Sequence, residues 1–370
     1  LGLLDKLGQR HKVFLQDRLD VRIVDAVDGP ARLREASLPA PLHLLPSFLT
    51  FPYLSLGEKL AAITALLTVR LRDLPEGESF AGWLARHGQT PNAIQRFWNL
   101  IVIPTCNAPA ERVSAAQGGF VFREGLLRTR WGGRLGYSRV GLSQIVPERA
   151  IAYLQQRDAE PRFGVAVQQV SEEGALTTQG ERLKADAYIL TVPSDELARL
   201  VPDSWAQRAA CLDGAPIVGI NLWYDRPIFD GEVIAAIVDG EAHWLFDRTR
   251  ILGLPGPEHH IAVSISAAEA VIDTARSELA AQVAAKLAKA LPSAGRATLV
   301  RSSVEKVRSA TFVPSPRSRS ARLSNATPLM NVFLAGAWTD TGWPDTMESA
   351  VRSGHAAARL AQNFLQKALD

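Results

Sequence analysis

Residues 331–358 read Asn331-Val-Phe-Leu-Ala-Gly-Ala-Trp-Thr-Asp-Thr-Gly-Trp-Pro-Asp-Thr-Met-Glu-Ser-Ala-Val-Arg-Ser-Gly-His-Ala-Ala-Ala358. The types and spacing suit the capture of a negative charge. A short apolar run, 332–335, predicts a buried strand. Gly336 and Gly342 give the following loop backbone freedom. Asp345, with Glu348 three residues on, predicts an Asp version of a capping box at a helix start. Behind it Met347, Ala350, Val351, Gly354, Ala357, Ala358, Ala361 and Phe364 recur at helical spacing, which predicts one small apolar face able to lie close to a sheet or a flat ligand. The first N–H groups of such a helix, at the positive end of its dipole, favour an anion. Asp340 and Asp345 are the acids nearest this motif, and a loop Asp and an N-cap Asp explain them as well as proton transfer does.

Other elements must position that motif. Val165, Val167 and Val170 alternate, 175–180 predicts a hairpin, and 187–193 predicts a buried strand stopped by Pro193. Further on, 215–227 is a long alternating strand ending Asp-Arg-Pro, followed by strands around 244–248, 260–266 and 304–314 and a helix over 277–291. Asp225 and Asp247 read as sheet-end salt bridges, and His259 and His260 as solvated turn residues. Residues 1–30 read as a helix end, a strand through Val21, Ile23 and Val24, and an Asp28-Gly29 turn. Four prolines between 39 and 52 exclude a long helix from an unusually apolar stretch. Ser55 and Glu58 then open a helix carrying Leu60, Ile63, Leu66, Leu67 and Leu71. This helix reads either as a core element or as a lipophilic entrance dipping into a membrane surface, with Lys59, Arg70 and Arg72 at its flanks. Two more helices are predicted over 80–87 and 91–103, then a turn cluster at 104–109. Arg128, Arg130, Arg134 and Arg139 surround Trp131-Gly-Gly, with no acid among them, and read either as an anion site or as a solvated basic loop. Arg317 to Arg322 predict a basic surface connection.

The C-terminal stretch resembles the closing flavin-binding motif of the superfamily of flavin amine oxidases, carotenoid desaturases and squalene-associated flavoenzymes. Ala335-Gly336, Thr339, Met347-Glu348, Ala350 and Ser353-Gly354 carry the resemblance. Two positions depart: Ala337 stands where relatives place an acid that reaches the cofactor, and Ser349 where they place Gly. The middle segment is similar to the one in which a valine main chain grips the adenine and a strand-ending proline lies near the isoalloxazine. The matching residues are Val167 and Val192-Pro193. Trp98, Pro104, Asn107 and Ser114-Ala115, together with Leu-Trp-Tyr-Asp-Arg-Pro at 222–227 and Trp-Leu-Phe-Asp-Arg at 244–248, bring the chain nearer the squalene-associated group than the amine oxidases.

The resemblance implies FAD as cofactor, held by Val167, Val192, Pro193, Gly336, Ala337, Thr339, Asp345, Thr346 and Met347. A reduced flavin ring, anionic at its pyrimidine edge, would be the charge at the helix start. The implied fold is α/β, a Rossmann-like FAD domain built from 1–30, 140–204 and 325–370, interleaved with a substrate domain of helical cap (31–139) and mixed sheet (205–324). Substrate is expected between the domains. No Gly-x-Gly-x-x-Gly loop is present, so the resemblance implies that roughly 70–90 residues of a first βαβ unit precede Leu1. The other reading is a protein built without that loop. The implied activity is reductive dehydroxylation of hydroxysqualene to squalene. The alternatives are a carotenoid-type desaturase and a non-catalytic partner in an isoprenoid-synthesis assembly.

Composition sets the remaining bounds. With 370 residues and 47% hydrophobic content the chain can bury a sizeable core. A net charge of +3 and thin aromatic interleaving argue against nucleic acid. Cys106 and Cys211 lack metal spacing, and the seven histidines make no ligand set; the cysteines read as reduced residues at or near the core of a cytoplasmic protein. No apolar run reaches the ~20 residues of a spanning helix, which leaves peripheral contact with the inner face of the membrane as the lipid reading. The expected partner is a lipophilic isoprenoid. No Gly-x-Ser-x-Gly elbow is present to make a Ser hydrolase.

Overall fold

In the computed structural model, residues 1–25, 27–229, 231–239 and 241–367 are described, with no side-chain description at 239 and 241–243. The end of the expected C-terminal piece, 368–370, and the His243 side chain therefore lie outside the described residues. The chain divides into two units, Leu1–Arg149 with Ala215–Ala310, and Ala150–Gly214 with Thr311–Asp370.

The first unit is built on a seven-stranded sheet in the order Leu299–Phe312, Gly214–Tyr224, His259–Ile265, Glu241–Asp247, Ile234–Asp239, Asp20–Val24, Ala31–Arg34. The central pairings are antiparallel, but Ile234–Asp239 runs parallel to Asp20–Val24. Residues 1–30, expected in the cofactor domain, therefore belong here. Local alternation marks Val21 and Ile23 as a strand, but the partner strand comes from the second half of the chain, and pairing decides membership. The boundary also shifts elsewhere: 140–149 joins the first unit, while 205–214 and 311–324 join the second.

Period-two alternation gives this sheet two different faces. Ile220, Leu222, Ile237, Leu245, Ile261 and Val263 enter a core with Leu279, Val283 and Leu287 of the helix Arg276–Ala290. The opposite face presents Val21, Ile23, Ile234, Ala236, Trp244 and Phe246 to a cavity. His259 and His260, expected in a solvated turn, lie in the sheet instead. His259 is buried with Nε2 3.0 Å from the buried Asp247 carboxylate, and His260 stacks on Trp223.

The helices beside the sheet are pinned by an aromatic cluster, Phe80, Phe97, Trp98 and Phe122, with the Trp98 indole donating to Gln89 Oε1 at 2.9 Å. Gly118 is required there: a Cβ would stand 2.4 Å from the Phe80 ring. The expected turn at 104–109 starts later, because the helix Asn99–Cys106 continues through Pro104 and ends on left-handed Asn107. Asn107 accepts from Ala267 N and donates to Ala215 O, tying helix end to sheet.

The predicted helix start at Ser55 is a reciprocal capping box between Ser55 and Glu58, opening the helix Leu56–Leu71. Its buried side, however, is Ala62, Ala65 and Val69, each fully buried, whereas Leu60, Leu67 and Leu71 are 56%, 47% and 77% exposed. The helix is half-buried: its small side chains allow close approach to the helix Ala115–Phe122, and these three leucines are left outside. Cys106 is buried and burial pushes its thiol up to about 12; Cys211, expected near the core, is exposed.

The second unit holds a parallel pair, Val332–Leu334 with Tyr188–Leu190, a three-stranded sheet Val167–Ser171, Gly174–Thr177, Arg182–Leu183, and the helix Met347–Lys367. The strand expected to be buried around 187–193 is half-exposed, with Ile189 at 41%, because among the described residues only one strand flanks it.

Candidate flavin site and apolar cavity

The loop after Val332–Leu334 is organised from beneath by residues of the following helix. Ser353, fully buried, accepts from Gly336 N at 2.9 Å, meets Thr339 Oγ1 at 2.7 Å and accepts from Asn325 Nδ2 at 2.8 Å. Thr339, also fully buried, donates to Gly336 O at 2.9 Å. One turn earlier Ser349 donates to Ala337 O at 2.8 Å and pairs with Thr341 Oγ1. The Arg322 guanidinium closes the loop, donating to Trp338 O at 3.1 Å, Ala337 O at 3.3 Å and Thr339 O. Arg322 is thus a buried clamp and not the surface residue its basic neighbours suggested. Sequence reasoning named Ser349, Ser353 and Arg322 without these bonding roles, and did not name Asn325. The available signal was the four-residue spacing of Ser349, Ser353, Ala357 and Ala361, which is the stripe the helix buries.

The helix start also differs from expectation. Thr346 provides the cap, its Oγ1 accepting from Ser349 N at 3.3 Å. Asp345 turns away and accepts from Phe312 N at 2.9 Å. Glu348 pairs with Arg352 at 2.8 Å in place of closing a capping box. Burial raises the Asp345 carboxyl above its ordinary pKa, outweighing the opposing pull of the Phe312 N–H and the Arg322 charge. Met347, expected on the buried face, is 79% exposed and Ala350 is exposed too.

Of the remaining predicted residues, Val192 meets the same loop. Trp338 Nε1 donates to Val192 O at 2.9 Å, which ties the 192–193 strand end to the Gly336 loop. Val167 and Val192 pack on one core with Trp338, Val332 and Leu334. Pro193 stands at the start of the helix Ser194–Leu200. A Cβ at Gly336 would lie 2.8 Å from Trp338 Nε1, so only glycine admits this tie. A tightly held small-residue loop beside a helix start suits a flat ring such as a flavin, although Ala337 lacks the carboxylate with which relatives reach the cofactor.

In the first unit, a cavity of about 500 Å³ lies on the second face of the sheet. Trp244, Phe246, Ile234, Ala236, Val21 and Ile23 make its sheet wall, and Ile101, Pro104, Thr105, Val121 and Leu126 its helical wall. Beside it the arginine loop is divided: Arg130 and Arg134 turn onto an internal acid, while Arg128, Trp131 and Arg139 stay exposed. The buried Glu35 carboxylate binds Arg130 at 2.7 Å and Arg134 at 3.5 Å and accepts from Leu19 N at 3.1 Å. Burial alone would raise its pKa; the Leu19 N–H and the two guanidiniums outweigh that and hold it below the ordinary value. Arg128 pairs with Glu124. The acid comes from 95 residues away, beyond any local reading. A second apolar cavity of about 200 Å³ opens beneath the exposed leucines, lined by Leu42, Phe48, Ile63, Leu66, Leu67 and Phe97. Among the described residues, no group of acids, histidines and cysteines could hold a metal.

With this geometry the comparisons agree. The chain belongs to the family described as flavin containing amine oxidoreductase, whose sequence pattern matches residues 1–361, and it is an FAD-dependent oxidoreductase. It is 29% identical over 359 residues to hydroxysqualene dehydroxylase of Rhodopseudomonas palustris, covering 91% of this chain and 77% of that protein. It is 23% identical over 374 residues to a probable zeta-carotene desaturase of Synechococcus elongatus, covering 86% of this chain and 76% of that one. The fold matches cyclohexylamine oxidase from Brevibacterium oxydans with a TM-score of 0.69 at 17% identity, over 98% of this chain and 85% of the other. Membership in a flavoenzyme family overturns the non-catalytic alternative.

Proposed function

We propose that this flavoenzyme carries out the reductive dehydroxylation of hydroxysqualene to squalene. The observation that carries the proposal is the match along nine-tenths of the chain to a hydroxysqualene dehydroxylase, and an almost wholly apolar cavity suits the chemistry. The C–O bond of the alcohol breaks, a C–H bond forms, and a proton accompanies the hydroxyl out as water. Bound reduced FAD supplies the hydride equivalent.

The chain's own residues hold and exclude. Gly336, Ala337 and Thr339 offer a loop kept rigid by Ser353 and Arg322, while Thr346 and Met347 present helix N–H groups to the cofactor's anionic edge. Val167, Val192 and Pro193 supply the adenine side and the strand end. Asp345, already engaged by Phe312 N, shapes the loop, and no proton donor is assigned to it. Ile23, Ile234, Phe246 and Leu126 surround a polyisoprene chain with hydrocarbon and keep water out. Leu60, Leu67 and Leu71, with Lys59, Arg70 and Arg72 nearby, support peripheral contact with an anionic lipid surface from which such a substrate would come. No helix among the described residues is long and apolar enough to cross a membrane.

The similarity to a carotene desaturase favours a second reading, hydrogen removal from a polyene by oxidised FAD. One experiment separates the two. The FAD-loaded enzyme is incubated anaerobically with reductant and hydroxysqualene, and in parallel in its oxidised form with a carotenoid precursor, with products read by mass spectrometry. Squalene formed only with reduced FAD supports dehydroxylation; a desaturated polyene and no squalene refutes it.

A further inference from the structure

The cavity of the first unit is lined mostly by carbon, yet two buried donors in its wall make no hydrogen bond: Arg134 Nε, which faces the Glu35 carboxylate at 3.5 Å, and the Trp244 indole. Trp244 Nε1–H is shielded from solvent and makes no hydrogen bond within the protein. A buried indole N–H ordinarily finds an acceptor, and a native orphan calls for a reason, a missing ligand among them. None of the neighbours of Trp244 accepts from it. Its partner on one side is Ala236. On the helical wall, the Thr105 hydroxyl donates to Ile101 O at 2.6 Å and takes no hydrogen bond from the indole.

On its other side Trp244 pairs with Ser264 in the antiparallel ladder. Ser266, two residues on and so on the same face, lines the cavity as well. One indole donor and two hydroxyls therefore lie on the sheet wall, whose other side chains here are apolar. The nearest charge, Arg134, is neutralised by the buried Glu35 carboxylate at 3.5 Å, so the patch has the chemistry to bind a neutral oxygen and not a phosphate or carboxylate.

We infer that Trp244, Ser264 and Ser266 form an oxygen subsite that accepts the hydroxyl of a polyisoprene alcohol, the indole donating to its oxygen and a serine accepting its proton. This rests on the reading of the cavity as the isoprenoid site and sharpens it. The subsite selects an alcohol over the corresponding hydrocarbon, because only the alcohol satisfies the buried donor; sites built around such donors discriminate against ligands lacking the acceptor.

The test compares binding of hydroxysqualene and squalene to the FAD-loaded protein in detergent, for wild type, Trp244→Phe and the Ser264→Ala/Ser266→Ala pair. Trp244→Phe keeps an aromatic wall and removes only the donor. Wild type should prefer the alcohol by about tenfold. Trp244→Phe should lower that preference to about twofold or less by weakening alcohol binding, with squalene affinity and flavin content unchanged. The serine pair should lower it partway, and provides the readout if Trp244→Phe fails to fold. Alcohol preference unchanged in the variants would overturn the subsite while leaving the dehydroxylase reading intact. A wild-type protein that binds neither isoprenoid would overturn that reading and the subsite with it.

Discussion

Removing the Ser353 hydroxyl should damage the flavin loop far more than removing that of Ser349, although both serines are fully buried on the same helix. In Ser353→Ala, Gly336 N loses its acceptor at 2.9 Å and Thr339 loses a partner at 2.7 Å. Thr339 keeps its bond to Gly336 O, and Asn325 keeps Leu334 O at 2.7 Å. The orphaned Gly336 N–H costs about 1–2 kcal/mol and the lost bonds about 1 more, giving roughly 2–3 kcal/mol. In Ser349→Ala, Ala337 O still accepts from Arg322, and so does Thr341 Oγ1, each at 3.3 Å. No group is orphaned, and the cost should be about 0.5–1 kcal/mol. Urea unfolding of FAD-loaded and stripped protein measures both, and flavin retained through gel filtration reports on the loop. Ser353→Ala should release flavin more readily than Ser349→Ala. Equal losses in the two variants, or a Ser353→Ala protein with wild-type midpoint and flavin content, would refute the hub.

Two other outcomes follow from the same structure. Glu35 has a lowered folded pKa, so its contribution to stability is present above its ordinary value of 4.5 and is lost as pH falls through the lower folded value; Glu35→Gln should destabilise at neutral pH and flatten the acid limb of a pH–stability curve, and an unchanged limb would contradict the pairing with Arg130 and Arg134. Each exposed leucine that enters lipid contributes about 1.5–3 kcal/mol, so Leu60→Glu/Leu67→Glu should reduce partitioning into anionic vesicles more than tenfold while changing stability by about 0.5 kcal/mol or less; vesicle flotation equal to wild type would exclude this face.

Much of the local structure was legible. The Ser55/Glu58 helix start, the helix ending near Leu291 with its Leu279, Val283 and Leu287 stripe, and the apolar run before Gly336 all carry signals within a few residues of one another. The misreadings are nonlocal. Asp345 satisfies every local rule for a cap but is drawn to Phe312 N, a partner that adjacency does not reveal. Arg130 and Arg134 lacked an acid only until Glu35 was folded beside them. Leu60, Leu67 and Leu71 have core spacing yet face outward, because a helical stripe names a face without saying which neighbour covers it.

The sequence by itself determined element types, the closing flavin motif and, through that motif, the cofactor. Element types depend on backbone preferences and short spacings that survive without knowledge of the rest of the chain, and the cofactor was implied by the motif's resemblance to a flavin-binding family. Only the tertiary structure decided which residues hold the loop from below, which unit claims the Asp20–Val24 strand, and that Trp244 meets Ser264 in a carbon-lined cavity. Strand register and burial are properties of pairs distant in the chain, and a hydrogen bond left unmade becomes visible only when every neighbour has been placed.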